Sequence, residues 1–287
     1  MKLFAGRVAV ITGGASGLGR AMALRFAREG MRIVLADINA GDLDRTESEL
    51  RDAGASAIGV RCDVSKAEDV EALAAKTLQA FGAVHLVANN AGVSPLGNVW
   101  ENSVADWQWI MGVNLWGVIH GVRVFTPLLL AQAESPGGEA HIVNTASVSG
   151  FICAPGMGLY NVTKHAVVAL TETLHHDLAR RSARVKCSVL CPAYVPTGIA
   201  GSERNRPAEL ADPQRAKTEE DLAREAGLKK AVERGKVSAD DVAQAVFEAV
   251  RAERFYILTH PKILGAVQAR MEDILRGANP RDPLALR

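Results

Sequence analysis

Tyr160 and Lys164 stand four residues apart in the run Tyr160-Asn161-Val162-Thr163-Lys164. On a helix that spacing puts both side chains on one face. A free phenol has a pKa near 10 and is a poor base at neutral pH. An ammonium group beside it favours the phenolate and so lowers that pKa. The pair therefore reads as a general acid/base, able to take a proton from an alcohol or give one to a carbonyl oxygen. Taken singly, each has a plainer reading: Tyr160 as an aromatic at a helix start, Lys164 as a solvated neighbour.

A second group of residues suits phosphate. Thr12-Gly13-Gly14-Ala15-Ser16-Gly17-Leu18-Gly19 follows the apolar run Val8–Ile11 and opens a helical pattern. Glycines there allow a tight turn and close backbone approach to a pyrophosphate. The helix N-terminus adds free amides and the positive end of its dipole. Gly13, Ser16, Gly17 and Leu18 are thus expected at a dinucleotide. Asp37 ends the second apolar run, where a carboxylate would accept from the adenosine ribose hydroxyls and repel a 2′-phosphate. Neither Ser16 nor Ile38 supplies a cation for that phosphate, so NAD is expected rather than NADP. Asp37 could instead cap a helix. Asp63, next to Val64, either accepts from the adenine amino group or caps the helix begun near Ser65. Asn89-Asn90-Ala91-Gly92, after the fourth apolar run, lets the chain pass close to the same ligand at Asn90 and Gly92.

These residues need a scaffold, and the periodicity predicts one. Short, continuously apolar runs at 8–11, 33–36, 57–60, 84–88, 140–144 and 185–190 read as buried strands. Helical patterns lie between them, at 18–28, 41–50, 70–80, 107–130 and 160–180. Alternation of this kind gives an α/β fold: a single doubly wound parallel sheet, Rossmann-like, with helices on both faces. Ligands bind such sheets at the carboxyl ends of the strands, and the motifs above fall there. The whole chain, 1–287, is expected to be one dinucleotide-binding catalytic domain. The long charged segment 198–235 is expected to be a lid over the substrate. A C-terminal helical extension is expected at 261–287, with Leu264, Val267, Met271 and Ile274/Leu275 as a stripe suited to core or interface. The tail from Asn279 reads as a frayed end or an arm onto a partner.

Taken together, the chain resembles the short-chain dehydrogenase/reductase family, in the subgroup with a TGxxxGxG turn. The resemblance runs from about residue 6 to residue 197. It rests on Thr12 to Gly19, Asp63, Asn89 to Gly92, Asn114, Ser147, Tyr160, Lys164 and Pro192 to Thr197, with Ser147 thirteen positions before Tyr160. It implies hydride transfer between a nicotinamide and an alcohol or ketone. It further implies that Lys164 holds the nicotinamide ribose, with the positive ring helping to lower the Tyr160 pKa. Ser147 would orient the substrate oxygen and Asn114 would hold a water in a relay to Lys164. Val195 and Thr197 would meet the carboxamide. The family usually has Pro-Gly where this chain has Pro192-Ala193, which removes some backbone freedom.

Composition narrows the alternatives. The 33 Lys and Arg nearly balance 32 Asp and Glu, which gives no electrostatic footprint for nucleic acid or anionic lipid. No stretch of about 18 apolar residues suggests a membrane span. The start has no apolar run long enough for a signal peptide, and a cytoplasmic location is expected. The four cysteines read as apolar fillers, and the histidines give no ligand spacing for a metal. Trp107, Trp109 and Trp116 read as packing. A mostly apolar substrate pocket is expected from Val93, Ser94, Phe151, Cys153, Met157, Tyr194 and the lid. No Arg or Lys is evidently placed for an acid, so the expected substrate is a neutral, fairly hydrophobic secondary alcohol or ketone. A homodimer or homotetramer is expected. The competing readings are an NADP-dependent carbonyl reductase and a dinucleotide-binding redox sensor without turnover.

Overall fold

A strand covered on both faces can bury every side chain, and the apolar runs do so. In the computed structural model, which describes residues 1–211 and 218–285, β1 (Val8–Thr12) is buried at all five positions. β2 (Arg32–Asp37), β4 (Leu86–Asn89), β5 (Ala140–Thr145) and β6 (Val185–Leu190) are nearly as dry. β3 (Ala57–Arg61), at one edge, is more open. A short strand that the periodicity does not reveal, β7 (Tyr256–Ile257), pairs with β6. Every pairing is parallel, in the order β3-β2-β1-β4-β5-β6-β7. The winding reverses between β1 and β4, which opens a crevice at the carboxyl ends.

Helices cover both faces: α1 (Gly17–Arg28), α2 (Ala40–Asp52), α3 (Ala67–Phe81), α4 (Val104–Ile110), α5 (Gly117–Glu134), α6 (Gly158–Arg181), α7 (Glu219–Glu233), α8 (Ala239–Ala252) and α9 (Leu264–Arg276). Alternation along β1 shows the two cores. Ala9 and Ile11 join Phe26 of α1 and Val246 of α8, whereas Val8 and Val10 join Leu73 of α3 and Leu129 of α5.

Two expectations change and one narrows. The helix expected at 107–130 is two helices joined by a π turn, Met111–Trp116, with Asn114 fully buried inside it. By length and composition the whole run Val104–Glu134 could cross a membrane. Phe125, Leu129 and Ala133 of this run pack in the same cluster as Val8, Val10 and Val87 of the sheet. The apolar stripe of α9 is core only at Val267, which packs against Val148, Ile152 and Ala266, and the rest of it is open to an interface. Leu264, Met271, Ile274 and Leu275 are exposed, and Ala266 is the apolar residue of α9 that is buried. The tail is not frayed at Arg281, whose guanidinium donates to Asp273 at 2.9 Å and to the Ala269 carbonyl. Leu286 and Arg287 lie outside the described residues.

The segment expected as a lid contains two 3-10 turns, Gly198–Asn205 and Ala208–Leu210, followed by α7. Its residues 212–217 lie outside the described residues. It is tied to the stretch before and within α4 at three points. The Ser94 amide donates to Ser202 Oγ (3.0 Å), Arg206 pairs with Asp106 (2.8 Å), and Arg224 pairs with Glu101 (3.3 Å).

Candidate active site

One continuous cavity runs along the carboxyl edge of the sheet. Gly13, Ser16, Gly17, Leu18, Asp37, Asp63, Val64, Asn90, Gly92, Tyr160, Lys164, Val195 and Thr197 all line it. The strands deliver these residues in turn: β1 to the Gly turn, β2 to Asp37, β4 to Asn90, and β6 to Val195 and Thr197. Gly13 has φ +63°, and a Cβ there would lie 2.8 Å from Ala91 Cα. A Cβ on Gly19 would overlap the Gly13 carbonyl. The turn can therefore close only around glycine. Thr12 Oγ1 accepts from the amides of Asn90 and Ala91 (2.9 and 3.2 Å), fastening the two loops that face across the crevice.

The carboxylate of Asp37 accepts from the amides of Ala15 (3.1 Å) and Asn39 (3.0 Å). It is not a helix cap: Asn39 caps α2, accepting from the Asp42 amide. Held this way at the cavity wall, Asp37 keeps lone pairs for ribose hydroxyls. Asp63 accepts from both the amide and the hydroxyl of Ser65 (3.1 and 2.7 Å). It lies ahead of α3, whose N-cap position is Lys66. The glycine cradle, the carboxylate beside it and the helix terminus fit a nicotinamide dinucleotide.

At the far end of the cavity, α6 carries Tyr160 and Lys164 on one face. Lys164 Nζ donates to the Thr145 carbonyl (2.9 Å) and lies 5.5 Å from the Tyr160 ring centre. The chain alone does not lower the Tyr160 pKa as its spacing to Lys164 suggests. Burial pushes the phenol up to about 12, against a hydrogen bond from Ser147 that favours phenolate. Burial also pushes Lys164 down to about 8. Each group thus leans towards its neutral form. Ser147 Oγ donates to the Pro192 carbonyl (3.2 Å) and accepts from the Ser149 amide (3.1 Å). Asn114 binds Val93 at both ends of its amide: Oδ1 accepts from the Val93 N–H (2.8 Å), and Nδ2 donates to the Val93 carbonyl (2.9 Å). Ser147 and Asn114 are both buried, and Ser147 also contacts Tyr160.

The expected substrate wall is largely replaced. Val93 lines the cavity, but Phe151 packs edge-on against Tyr256 at 6.1 Å, and Cys153 is exposed beside His165. Ser94, Met157 and Tyr194 are likewise not on the wall. Gln108, Trp109, Val113, Ile199, Ser202 and Leu210 are. Trp109 does pack, as expected, but one face also meets the cavity. Ala193 costs no strain, since its backbone φ is not positive. Its amide donates to His260 Nδ1 (3.1 Å), a contact from far along the chain with no signal in the sequence. Cys62, Cys187 and Cys191 are buried fillers, as their apolar surroundings suggest.

A doubly wound parallel sheet whose phosphate turn and Tyr-Lys pair share one cavity is the arrangement of a dinucleotide-dependent oxidoreductase. The chain belongs to the short chain dehydrogenase family, whose family model matches residues 7–208. It is 34% identical to a CLA biosynthesis dehydrogenase/reductase of Lactiplantibacillus plantarum, over 98% of this chain and 97% of that one. It is also 34% identical to a 1-deoxy-11-beta-hydroxypentalenate dehydrogenase of Streptomyces exfoliatus, over 94% and 89% of the two chains. Among solved structures, a short chain dehydrogenase/reductase from Burkholderia phymatum, in complex with NAD, is 55% identical. It matches with a TM-score of 0.96 over 100% of both chains.

Proposed function

We propose that this chain transfers a hydride between NAD and a neutral, fairly hydrophobic secondary alcohol or ketone, with Tyr160 as the general acid/base. The observation that carries the reading is the single cavity that joins Asp37 at one end to Tyr160 and Lys164 at the other. NAD rather than NADP follows from Asp37, whose carboxylate would repel a 2′-phosphate. The NAD complex of the Burkholderia phymatum relative supports the same choice. The substrate class follows from the wall of Val93, Trp109, Val113 and Leu210.

When bound, NAD supplies a hydride acceptor with a positive ring charge. The residues of the chain hold the ligands and move the proton. Asp37 grips the adenosine ribose and the Gly turn takes the pyrophosphate. Tyr160, a neutral phenol at pH 7, is set to give its proton to a carbonyl oxygen. For alcohol oxidation it must be a phenolate, which added positive charge beside it favours. Ser147 holds Tyr160 and the substrate oxygen in line. Asn114 anchors Val93, and so sets the loop that brings Gly92 beside Lys164. The 198–235 segment covers the substrate as a lid. Self-association is part of the reading, supported by the exposed apolar side chains of α9.

Paired titrations with NADH and NADPH, followed by turnover of neutral ketones and secondary alcohols, test the proposal. NADH is expected to bind more tightly. Tyr160→Phe is expected to lose about 10²–10⁴-fold in turnover with NADH affinity retained. Tighter binding of NADPH would remove the Asp37 reading. Tight NADH binding without turnover on a broad panel would favour the redox sensor.

A further inference from the structure

Among the described residues, the charged groups on the cavity wall are three carboxylates, Asp37, Asp42 and Asp63, and two cations, Lys164 and Arg204. Lys164 is at the reactive end, committed to the Thr145 carbonyl. Arg204 comes from the first turn of the segment proposed as the lid and lines the same cavity as Gly13, Ser16, Gly17 and Leu18 of the Gly turn. Two glycines mark how closely the chain is packed on the way to it. A Cβ on Gly17 would meet the Thr197 side chain at 3.3 Å, and a Cβ on the next residue, Gly198, would lie 3.1 Å from Arg204 Nη2. Nη1 is fixed by donating to the carbonyls of Gly198 (3.0 Å) and Gly201 (2.7 Å). Two bonds to one short turn hold the guanidinium plane at the wall.

Its neighbours are occupied differently. Arg206 pairs with Asp106 and Glu203, and Arg224 with Glu101, Glu220 and Asp221. Arg204, by contrast, touches only backbone carbonyls among the described residues. A guanidinium held in place without a carboxylate, on a wall otherwise rich in carboxylates, suits a phosphate ligand that it can meet with two donors.

We infer that Arg204 is the cation that binds the pyrophosphate of the dinucleotide, so that the first turn of the lid is part of the cofactor site. The inference rests on the dinucleotide reading above. The turn 198–205 would then meet the cofactor before any substrate arrives. It would also supply positive charge that the Gly turn itself lacks.

Fluorescence titration of wild type, Arg204→Gln and Arg204→Lys with NADH, ADP-ribose and adenosine tests this. Charge-assisted hydrogen bonds of this kind are worth about ten- to a hundredfold in affinity. Arg204→Gln is therefore expected to weaken NADH and ADP-ribose by that factor and leave adenosine unchanged. Arg204→Lys should fall between, since lysine keeps the charge and loses the fork. Equal NADH and ADP-ribose affinities in wild type and Arg204→Gln would overturn the inference. So would unchanged cofactor binding with a KM raised only for carboxylate-bearing alcohols, which would assign Arg204 to a substrate anion. A wild-type chain that fails to bind NADH at all would overturn the dinucleotide reading itself, and this inference with it.

Discussion

Lys164 is 3% exposed and bears a charge its surroundings disfavour, with its pKa pushed down to about 8. The unfolded chain keeps that proton up to about pH 10.5. Between pH 8 and 10.5 the unfolded state therefore binds more protons, and the contribution of this group to stability rises with pH. Below pH 8 its full penalty remains. Lys164→Met removes the charge, and is expected to abolish turnover while raising the unfolding free energy at pH 7 by about 1–3 kcal/mol. Denaturant midpoints across pH should show the gap to wild type closing from pH 8 upward. A variant less stable than wild type at pH 7 would sink the idea. The pairing of Tyr160 with Lys164 was legible because a four-residue spacing fixes a shared helix face. The direction of the Tyr160 shift was not, because it depends on burial, which spacing does not report. Asp37 was open between ribose ligand and cap until Asn39 proved to cap α2.

At the scale of elements, the pair Arg206–Asp106 ties the segment proposed as a lid to α4. Both side chains are 10% exposed, and the guanidinium also stacks 4.2 Å over Trp109, which lines the cavity. The Asp106 pKa is held below the usual carboxylate range by Ser103 and Arg206, in spite of burial. Asp106→Asn is expected to loosen the lid by about 1–2 kcal/mol, less than the loss for a fully buried pair. Substrate KM should rise by roughly tenfold, and proteolysis within 198–235 should quicken. An unchanged KM and cutting rate would show that the lid is held by its other ties. The strands were readable because burial on both faces forces a continuous apolar run. β7 was hidden because two residues carry no period. The π turn was hidden too, since the one-residue slip that buries Asn114 against Val93 is decided by tertiary contacts.

Two buried histidines bear on the whole molecule. His85 Nδ1 accepts from the Val8 amide (3.1 Å), which requires an unprotonated nitrogen, and burial pushes its pKa down to about 4. His141 is fully buried and pushed down to about 3. Its Nε2 meets Ser188 Oγ at 2.8 Å, and that hydroxyl donates to the Arg254 carbonyl. The ring proton therefore sits on Nε2. Unfolded, both histidines protonate near pH 6.5, so stability falls as pH drops below 6.5 and keeps falling to about 4. Each group contributes up to about 1.4 kcal/mol per pH unit. His85→Asn keeps an acceptor for Val8 without a titrating ring, and is expected to flatten that slope in chemical unfolding between pH 6.5 and 4. An unchanged slope would clear His85 of the effect.

The family match stops at residue 208, but the fold does not. Phe247 of α8 sits 4.9 Å from Phe4, in one cluster with Phe26. Tyr256 and Ile257 of β7 cover the outer edge of β6. His260 receives the Ala193 amide in the loop that carries Val195 and Thr197 to the cavity. Cut at residue 208, the chain would keep every motif by which it is recognised. It would also bare a strand edge open to pairing with other chains and strip one face of α1. The border of kinship along this chain and the border of what can stand alone are different borders.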